Sequence, residues 1–349
     1  MSERGDRASR IAAAWAERTH AFRTGALAPQ PGLFGQFAQI VGGRLVITTD
    51  GIGTKIELAE RTGVYDTLGF DLVAMVVDDL TALGAEPCVL SNVLDVSVID
   101  EDLVDALFRG LHAAAARARV AVACGEIAEL GARVAGYGEK MHCAWSATCV
   151  GVLREGWEPL DGSAIRDGQV ILAVPERGFR CNGFTRLRAE LTRAYGAEWH
   201  TVRAGDHTWG ELLLTPSVVC APLITALREA GVALAGVAHV TGGGIPNKLG
   251  RVLRASGLGA RLAGLRPAEM LERFLALGAM GIEDAYCTFH MGPAMLLVME
   301  EAEAARACAI ASEHGFVLQP CGEIEATPGI RIEHAGCWLE FAPSPVWSR

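Results

Sequence analysis

The sequence predicts an α/β (α+β) chain of two domains, and three observations predict it. The chain has 349 residues, and at roughly 150 residues per domain that length suggests two. Its residues are 50% hydrophobic and 21% charged, so large cores are possible and wholesale disorder is excluded. Short β-branched runs and long helical patterns are mixed in both halves, without the strict alternation of a doubly wound sheet. The turn-rich stretch Arg154 to Gly168 places the boundary between residues 1–165 and 166–349.

Each element follows from a local pattern. Ile11, Trp15 and Phe22 share a face of a helical patch within residues 1–30, and Ala28 to Gly35 reads as a Pro/Gly-rich loop. Arg44 to Thr49 is a β-branched run and predicts a strand. Leu68, Leu72, Met75, Val76 and Leu80 recur at helical spacing, which predicts a buried helix over Asp66 to Leu83. A strand over Cys88 to Val96, an Ala-rich helix over Leu103 to Val120 and a strand over Val120 to Cys124 follow. Gly131 to Lys140 reads as a loop and Cys143 to Leu153 as an apolar strand. In the second half, strands are expected over Val170 to Val174, 235–240, Pro293 to Val298 and, last, Gly329 to Ile332. Helices are expected over 183–195, 209–231, after the glycine run at 242–244, and over Ala302 to His314.

Charge and composition exclude several function classes. The formal net charge is -10, and a protein that follows a nucleic-acid backbone is more often basic. A local anion site remains open, because backbone amides, helix N-termini or a metal can supply positive field. No uncharged apolar run approaches the roughly 18 residues of a membrane span. The opening MSERGDRASR has no apolar core behind it, which argues against a signal peptide. Ten cysteines occur without a CxxC pair, mostly among apolar neighbours. They read as buried free thiols of a reducing cytoplasm, not as a zinc site or disulfide framework.

Five segments carry possible chemistry. In Thr48-Thr49-Asp50-Gly51-Ile52-Gly53-Thr54-Lys55, two glycines allow a sharp turn and Asp50 offers a hard oxygen for Mg²⁺. Thr54 and Lys55 add a hydroxyl and a cation; the other reading is a hairpin turn with solvated ends. Asp71, Asp78 and Asp79 interrupt an apolar helix, and 71 and 78 share a face. They are either paired or metal-bound carboxylates, or a polar stripe in water. Glu126 and Glu129 follow Cys124-Gly125, either completing an acidic cluster with Asp50 and Asp79 or opening an ordinary capped helix. Thr241, Gly242, Gly243 and Gly244 precede a helix beginning near Pro246, as an anion-binding turn or a plain flexible one. Arg180-Cys181-Asn182-Gly183 reads as a turn. His142, His239 and His290 read as hydrogen-bonded core or loop residues, and no Ser-His-Asp or Cys-His arrangement stands out.

Together and in order, TDGIGTK, YDTLGFDLVAMVVDDLTALGAEP, GEIAEL, NGF, VAHVTGGGIPN, YCTFHMGPAM and GEI are specific. From about Pro31 to about Ile332 the chain resembles the aminoimidazole ribonucleotide synthetase family, the phosphoribosylformylglycinamidine cyclo-ligases. The resemblance implies two α/β domains and a homodimer whose N-terminal sheets pair into a barrel. It implies ATP with Mg²⁺, and a small phosphorylated amide substrate. The formamide oxygen would be phosphorylated, an amidine nitrogen would attack, and phosphate would leave. By the same resemblance, Asp50, Asp79 and Glu126 bind the metal, and Asp50, Lys55 and Asp79 serve catalysis. Gly51, Gly53, Thr54, Asp71, Gly125 and Glu129 line the nucleotide site. Asn182, Gly183, Thr241, Gly242, Gly243 and Gly244 hold substrate or phosphate.

The chain departs from the family pattern at several points. Arg180 stands where the family has histidine, Cys181 where it has serine, His290 where it has asparagine, and Cys124 where it has glycine. The family's N-terminal segment over ATP has no match before Ala28. Three functions are therefore expected candidates: a cyclo-ligase of purine synthesis, a paralogue activating another amide, or a non-catalytic nucleotide-binding dimer.

Overall fold

A computed structural model describes residues 11–12, 14–22, 27–28, 37–38, 44–278 and 280–343. The described chain divides into two compact units. Unit 1 comprises the described residues up to Thr81, then Ala85–Gly156 and Leu191–Ala221; unit 2 comprises Ala82–Gly84, Trp157–Glu190 and Pro222 onward.

Unit 1 is built on a four-stranded sheet of β1 (Arg44–Gly51), β2 (Glu86–Val96), β3 (Ala121–Glu129) and β4 (Cys143–Leu153), in the order β1-β4-β2-β3. β4 is antiparallel to both β1 and β2, whereas β2 and β3 are parallel. Parallel neighbours need a crossover, and helix α3 (Glu101–Ala118) supplies it. Asp100 caps α3 by accepting from the backbone N–H groups of Asp102 and Leu103. Helices α1 (Ile56–Thr62) and α2 (Leu68–Ala82) lie between β1 and β2 in sequence. α2 and α3 cover one face of the sheet: Thr48 on β1 donates to the Val76 carbonyl at 2.6 Å, and Phe108 packs on Trp145 at 5.8 Å. The N-terminal helical segment docks at the far edge, where Thr19 Oγ1 accepts from the Val122 N–H at 2.7 Å. The predicted Pro/Gly loop at Ala28 to Gly35 lies mostly outside the described residues.

α2 and α3 approach at backbone distance. A Cβ on Gly69 would lie 2.2 Å from the Gly110 carbonyl carbon, and one on Gly110 would lie 2.1 Å from the Asp66 oxygen. Backbone cannot yield as a flexible side chain can. Gly110→Val is therefore expected to exceed the roughly 1–3 kcal/mol typical of overpacking, read as a lowered thermal midpoint or loss of folded protein.

Unit 2 carries seven strands: β5 (Val170–Pro175), β6 (Leu234–His239), β7 (Gly259–Leu262), β8 (Pro293–Met299), β9 (Gln319–Glu325), β10 (Gly329–His334) and β11 (Cys337–Phe341). Their order is β6-β8-β5-β9-β7-β10-β11, and only β7 and β10 pair in parallel. β8 is buried at every position, as its apolar run requires. The helices from residue 184 onward are α4 (Phe184–Tyr195), α5 (Trp209–Leu213), α6 (Ala221–Glu229), α7 (Gly244–Leu253), α8 (Glu269–Leu275), α9 (Ile282–Thr288) and α10 (Glu301–Glu313). Of these, α5, the first residue of α6 and the end of α4 belong to unit 1.

Several sequence expectations are corrected. The helix expected over 209–231 is two helices, α5 and α6, with 214–220 non-helical between them. Pro216 removes a backbone donor and disfavours helix at Thr215. The strand expected to stop at Gly125 continues to Glu129, because Gly125 to Glu129 pair with Asn92 to Val96 on β2. Glu126 and Glu129 therefore sit in a strand, not at a helix start. β7, β9 and β11 were not foreseen, and Gly329–His334 is not the last strand. All ten cysteines are free; Cys287 and Cys337 are exposed, while burial pushes the Cys321 thiol up to about 12. Among the described residues, no helix is long and apolar enough to cross a membrane.

Candidate functional site

In unit 1, β1 delivers Asp50 to its end. Asp50 is half-buried, and its Oδ1 accepts from the Gly51 N–H at 2.7 Å. The chain then turns through Gly53, at φ 62°, and leaves Gly53 and Thr54 exposed. Left-handed backbone at this point favours glycine. Lys55 turns inward instead and is 0% exposed.

Lys55 Nζ pairs with Asp71 Oδ2 on α2 at 2.7 Å, both side chains fully buried. Ser217 donates its hydroxyl to the other Asp71 oxygen at 2.5 Å. One turn-pair further along the same face, Asp78 Oδ1 accepts from the backbone N–H groups of Cys220 and Ala221 at 2.8 and 3.0 Å. Of the two readings open for the apolar helix, these carboxylates take the paired one. The segment 217–221 supplies partners to both. Ser217 was invisible to sequence reasoning, since a serine after Pro216 carries no signal of a partner 146 residues away. Asp79, the next position around the helix, is half-buried.

The acidic residues of β3 lie elsewhere. Asp50 belongs to the cross-sheet row Asp50, Ala147, Asn92, Gly125. Ala147 and Asn92 in that row are buried. Glu126 belongs to the next row, with Val93 and Ser146, which are exposed. Adjacent rows point to opposite faces, and three strand spacings of about 4.8 Å separate the two outer strands. A single chain thus places Asp50 and Glu126 on opposite faces and outer strands of the sheet. Glu129 accepts from the Ile99 N–H at 2.9 Å. Among the described residues, no three His, Cys, Asp or Glu side chains gather closely enough to hold a metal. The loop after β3 is anchored from α1: Glu60 accepts from the Tyr137 N–H at 2.7 Å and meets His142 Nδ1 at 3.2 Å.

In unit 2, three loops meet at one end of the sheet. The Asn-Gly loop follows β5, the glycine triplet follows β6, and residues 289–292 precede the antiparallel β8. Their contact is close. A Cβ on Gly242 would lie 3.0 Å from Asn182 Nδ2, and one on Gly183 would lie 2.6 Å from the Phe289 ring. Gly244, at φ 62°, would bring a Cβ to 1.8 Å from the Tyr286 oxygen. Residues predicted separately, Asn182, Gly183, Gly242, Gly243 and Gly244, are thus assembled here, with Thr241 buried beneath them. α7 starts at Gly244, whose N–H donates to the Thr241 carbonyl at 3.0 Å and closes this turn. His290 Nδ1 accepts from the Gly292 N–H at 3.1 Å.

Arg180 lies under the same loops, 1% exposed and with φ 61°. Its Nη1 donates to Glu176 Oε2 at 2.6 Å, and its Nη2 contacts His239 Nε2 at the end of β6. Glu176 was also missed; its only sequence signal is its place four residues before Arg180.

The family model described as AIR synthase related protein, N-terminal domain, matches residues 36–153, and the corresponding C-terminal domain matches 166–335. A phosphoribosylformylglycinamidine cyclo-ligase of Thermococcus kodakarensis is 31% identical over 340 residues, 97% of each chain. The enzyme of that name from Sorangium cellulosum is 36% identical over 297 residues, 83% of this chain and 82% of that one. Among solved structures, thiamine-monophosphate kinase from Stenotrophomonas maltophilia superposes with a TM-score of 0.67 at 19% identity, over 92% of this chain and 96% of that one. A hydrogenase maturation protein HypE in complex with ATP gives 0.66 at 18%, over 97% and 96%. At these identities the structural likenesses establish the fold.

Proposed function

The chain belongs to the AIR synthase related family, and from that premise we propose that it is an ATP-dependent cyclo-ligase converting formylglycinamidine ribonucleotide to aminoimidazole ribonucleotide, ADP and phosphate. The observation that carries this reading is the end-to-end match to relatives named for that reaction. The ATP-bound neighbour of the same fold supports the nucleotide.

An amide oxygen is a poor leaving group, and bound ATP supplies the phosphoryl group that makes it a good one. The chain's own contribution is to position reactants and stabilise charge. The donor chemistry of unit 1 fits Mg²⁺: Asp50 and Asp79 offer hard carboxylate oxygens. The turn after Asp50 exposes Gly53 and Thr54, and a Cβ on Gly53 would meet nothing within 4 Å, which leaves room for a phosphate to approach. The triplet turn and Asn182 suit the ribose phosphate of the substrate. Asp71 orients Lys55 at the start of α1.

A homodimer belongs to this proposal. The face of the unit 1 sheet opposite α2 and α3 presents Leu45, Ile47 and Val93 at 60%, 62% and 43% exposure. Such a face wants a cover. Pairing two copies would also answer the separation of Asp50 and Glu126, with Glu126 serving the partner's centre. Leu45→Glu together with Ile47→Glu is expected to weaken self-association at least 100-fold, by burying charge in an apolar contact. Analytical ultracentrifugation checks it: an unchanged dimer would remove this face from the interface. The free thiols are compatible with a cytoplasmic setting.

Purified protein with ATP, Mg²⁺ and formylglycinamidine ribonucleotide should yield ADP and aminoimidazole ribonucleotide together. Bound ATP without product would remove this substrate. Arg180 favours a second reading, a paralogue acting on another amide, because a buried cation in left-handed backbone stands in the Asn-Gly loop. ADP release stimulated by a different amide would decide for it.

A further inference from the structure

Four features converge on one side chain at the end of β6. Glu176 is 5% exposed, and its Oε1 accepts from the backbone N–H groups of Arg177 and Gly178 at 2.8 and 2.9 Å. Its Oε2 accepts from Arg180. Arg180 holds φ 61°, a conformation that costs a non-glycine residue free energy and persists only where surroundings over-determine it. The opposite guanidinium nitrogen meets His239 Nε2, and His239 is 4% exposed.

The chemistry of that last contact has one solution. A guanidinium has only donors and does not deprotonate in proteins. Nε2 of His239 must therefore present its lone pair, and the ring proton must lie on Nδ1. A proton on both nitrogens would set a second cation against the guanidinium in a site closed to water, which disfavours the charged form. The nearby carboxylate, Glu176, already serves Arg180 and two amides. β8 sets uncharged Met295 opposite His239, the loop before it carries His290, and α7 carries Lys248 and Arg251.

We infer that Arg180 is a positioning residue that holds His239 as a neutral imidazole, protonated on Nδ1, at the base of the glycine-triplet turn. The relay runs from the 177–178 amides through Glu176 and Arg180 to the ring. It keeps one tautomer and one orientation under a turn that, on the cyclo-ligase reading, takes a phosphorylated ligand. His239 then supplies a fixed N–H and stores no proton as pH changes.

Long-range ¹H–¹⁵N spectra of the full chain test this, with His239→Asn used to assign the signals. In the wild type, His239 should stay Nδ1-protonated and neutral from pH 5.5 to 8. In Arg180→Gln, which removes the cation while keeping an N–H donor, the ring should become protonatable within this window, and in Arg180→Lys, which restores the cation, the neutral form should return. A wild-type ring that titrates in this window, or that carries its proton on Nε2, overturns the inference whether or not the Arg180 variants fold. So does an Arg180→Gln spectrum identical to the wild type. A second readout rests on the cyclo-ligase reading: ADP production by Arg180→Gln should fall at least tenfold from pH 8 to pH 5.5 relative to the wild type. Absent turnover in every protein at every pH would sink that reading, while the spectra still decide the tautomer.

Discussion

Asp71→Asn is expected to destabilise unit 1 by about 3–5 kcal/mol, because it strands the Lys55 ammonium in a site with no exposure. The effect on the thermal midpoint should be roughly 6–15 °C. Asparagine has nearly the same shape as aspartate and still accepts from Ser217, so packing loss cannot explain a drop of that size. The double variant Lys55→Met with Asp71→Leu removes both charges and fills the same volume. It should recover most of the stability, since a buried ion pair is often replaceable by apolar side chains. Denaturant melts of the two singles and the double give the coupling directly. Additive losses would show that the two side chains do not depend on each other.

Asp50→Asn should behave in the opposite way. Asp50 is half-buried, and the bond its Oδ1 accepts from the Gly51 N–H is one that an asparagine oxygen can also accept. The turn should survive, with a thermal midpoint within about 2 °C of the wild type, as for a substitution that disturbs no buried group. What is lost is a charge facing a proposed divalent cation. Mg²⁺-dependent ADP production should fall at least 1,000-fold, and affinity for Mg²⁺-ATP should fall with it. Unchanged affinity measured by calorimetry would remove Asp50 from the metal centre. Stability and activity thus separate cleanly between two aspartates that look alike in sequence.

That separation shows what was legible and what was not. The apolar spacing of α2 and the β-branched run of β1 are local signals, and both elements formed where they were expected. The split between α5 and α6 was partly legible in Pro216, but Asp78 also draws the 220–221 amides toward itself, and no local window contains that interaction. β9 contains Pro320 and Gly322 and reads poorly as a strand alone; pairing with β5 and β7 stabilises it despite an irregular register. The glycine triplet and Asn-Gly loop were readable as motifs, and their meeting at one sheet end follows from antiparallel neighbours. The Glu176–Arg180–His239 arrangement was not readable, because it joins two loops through buried side chains 59 residues apart.

The placement of residues 191–221 within unit 1 has a consequence for biosynthesis. The sheet and helices up to Gly156 leave the ribosome well before Ser217, Cys220 and Ala221 do. At 5–20 residues per second the delay is roughly 3–12 s. Through that interval, Asp71 lacks the Ser217 hydroxyl and Asp78 lacks the Cys220 and Ala221 amides that later bond to them. The nascent N-terminal part must wait, with these hydrogen bonds unmade, for a strap of chain synthesised after the first strand of its neighbour.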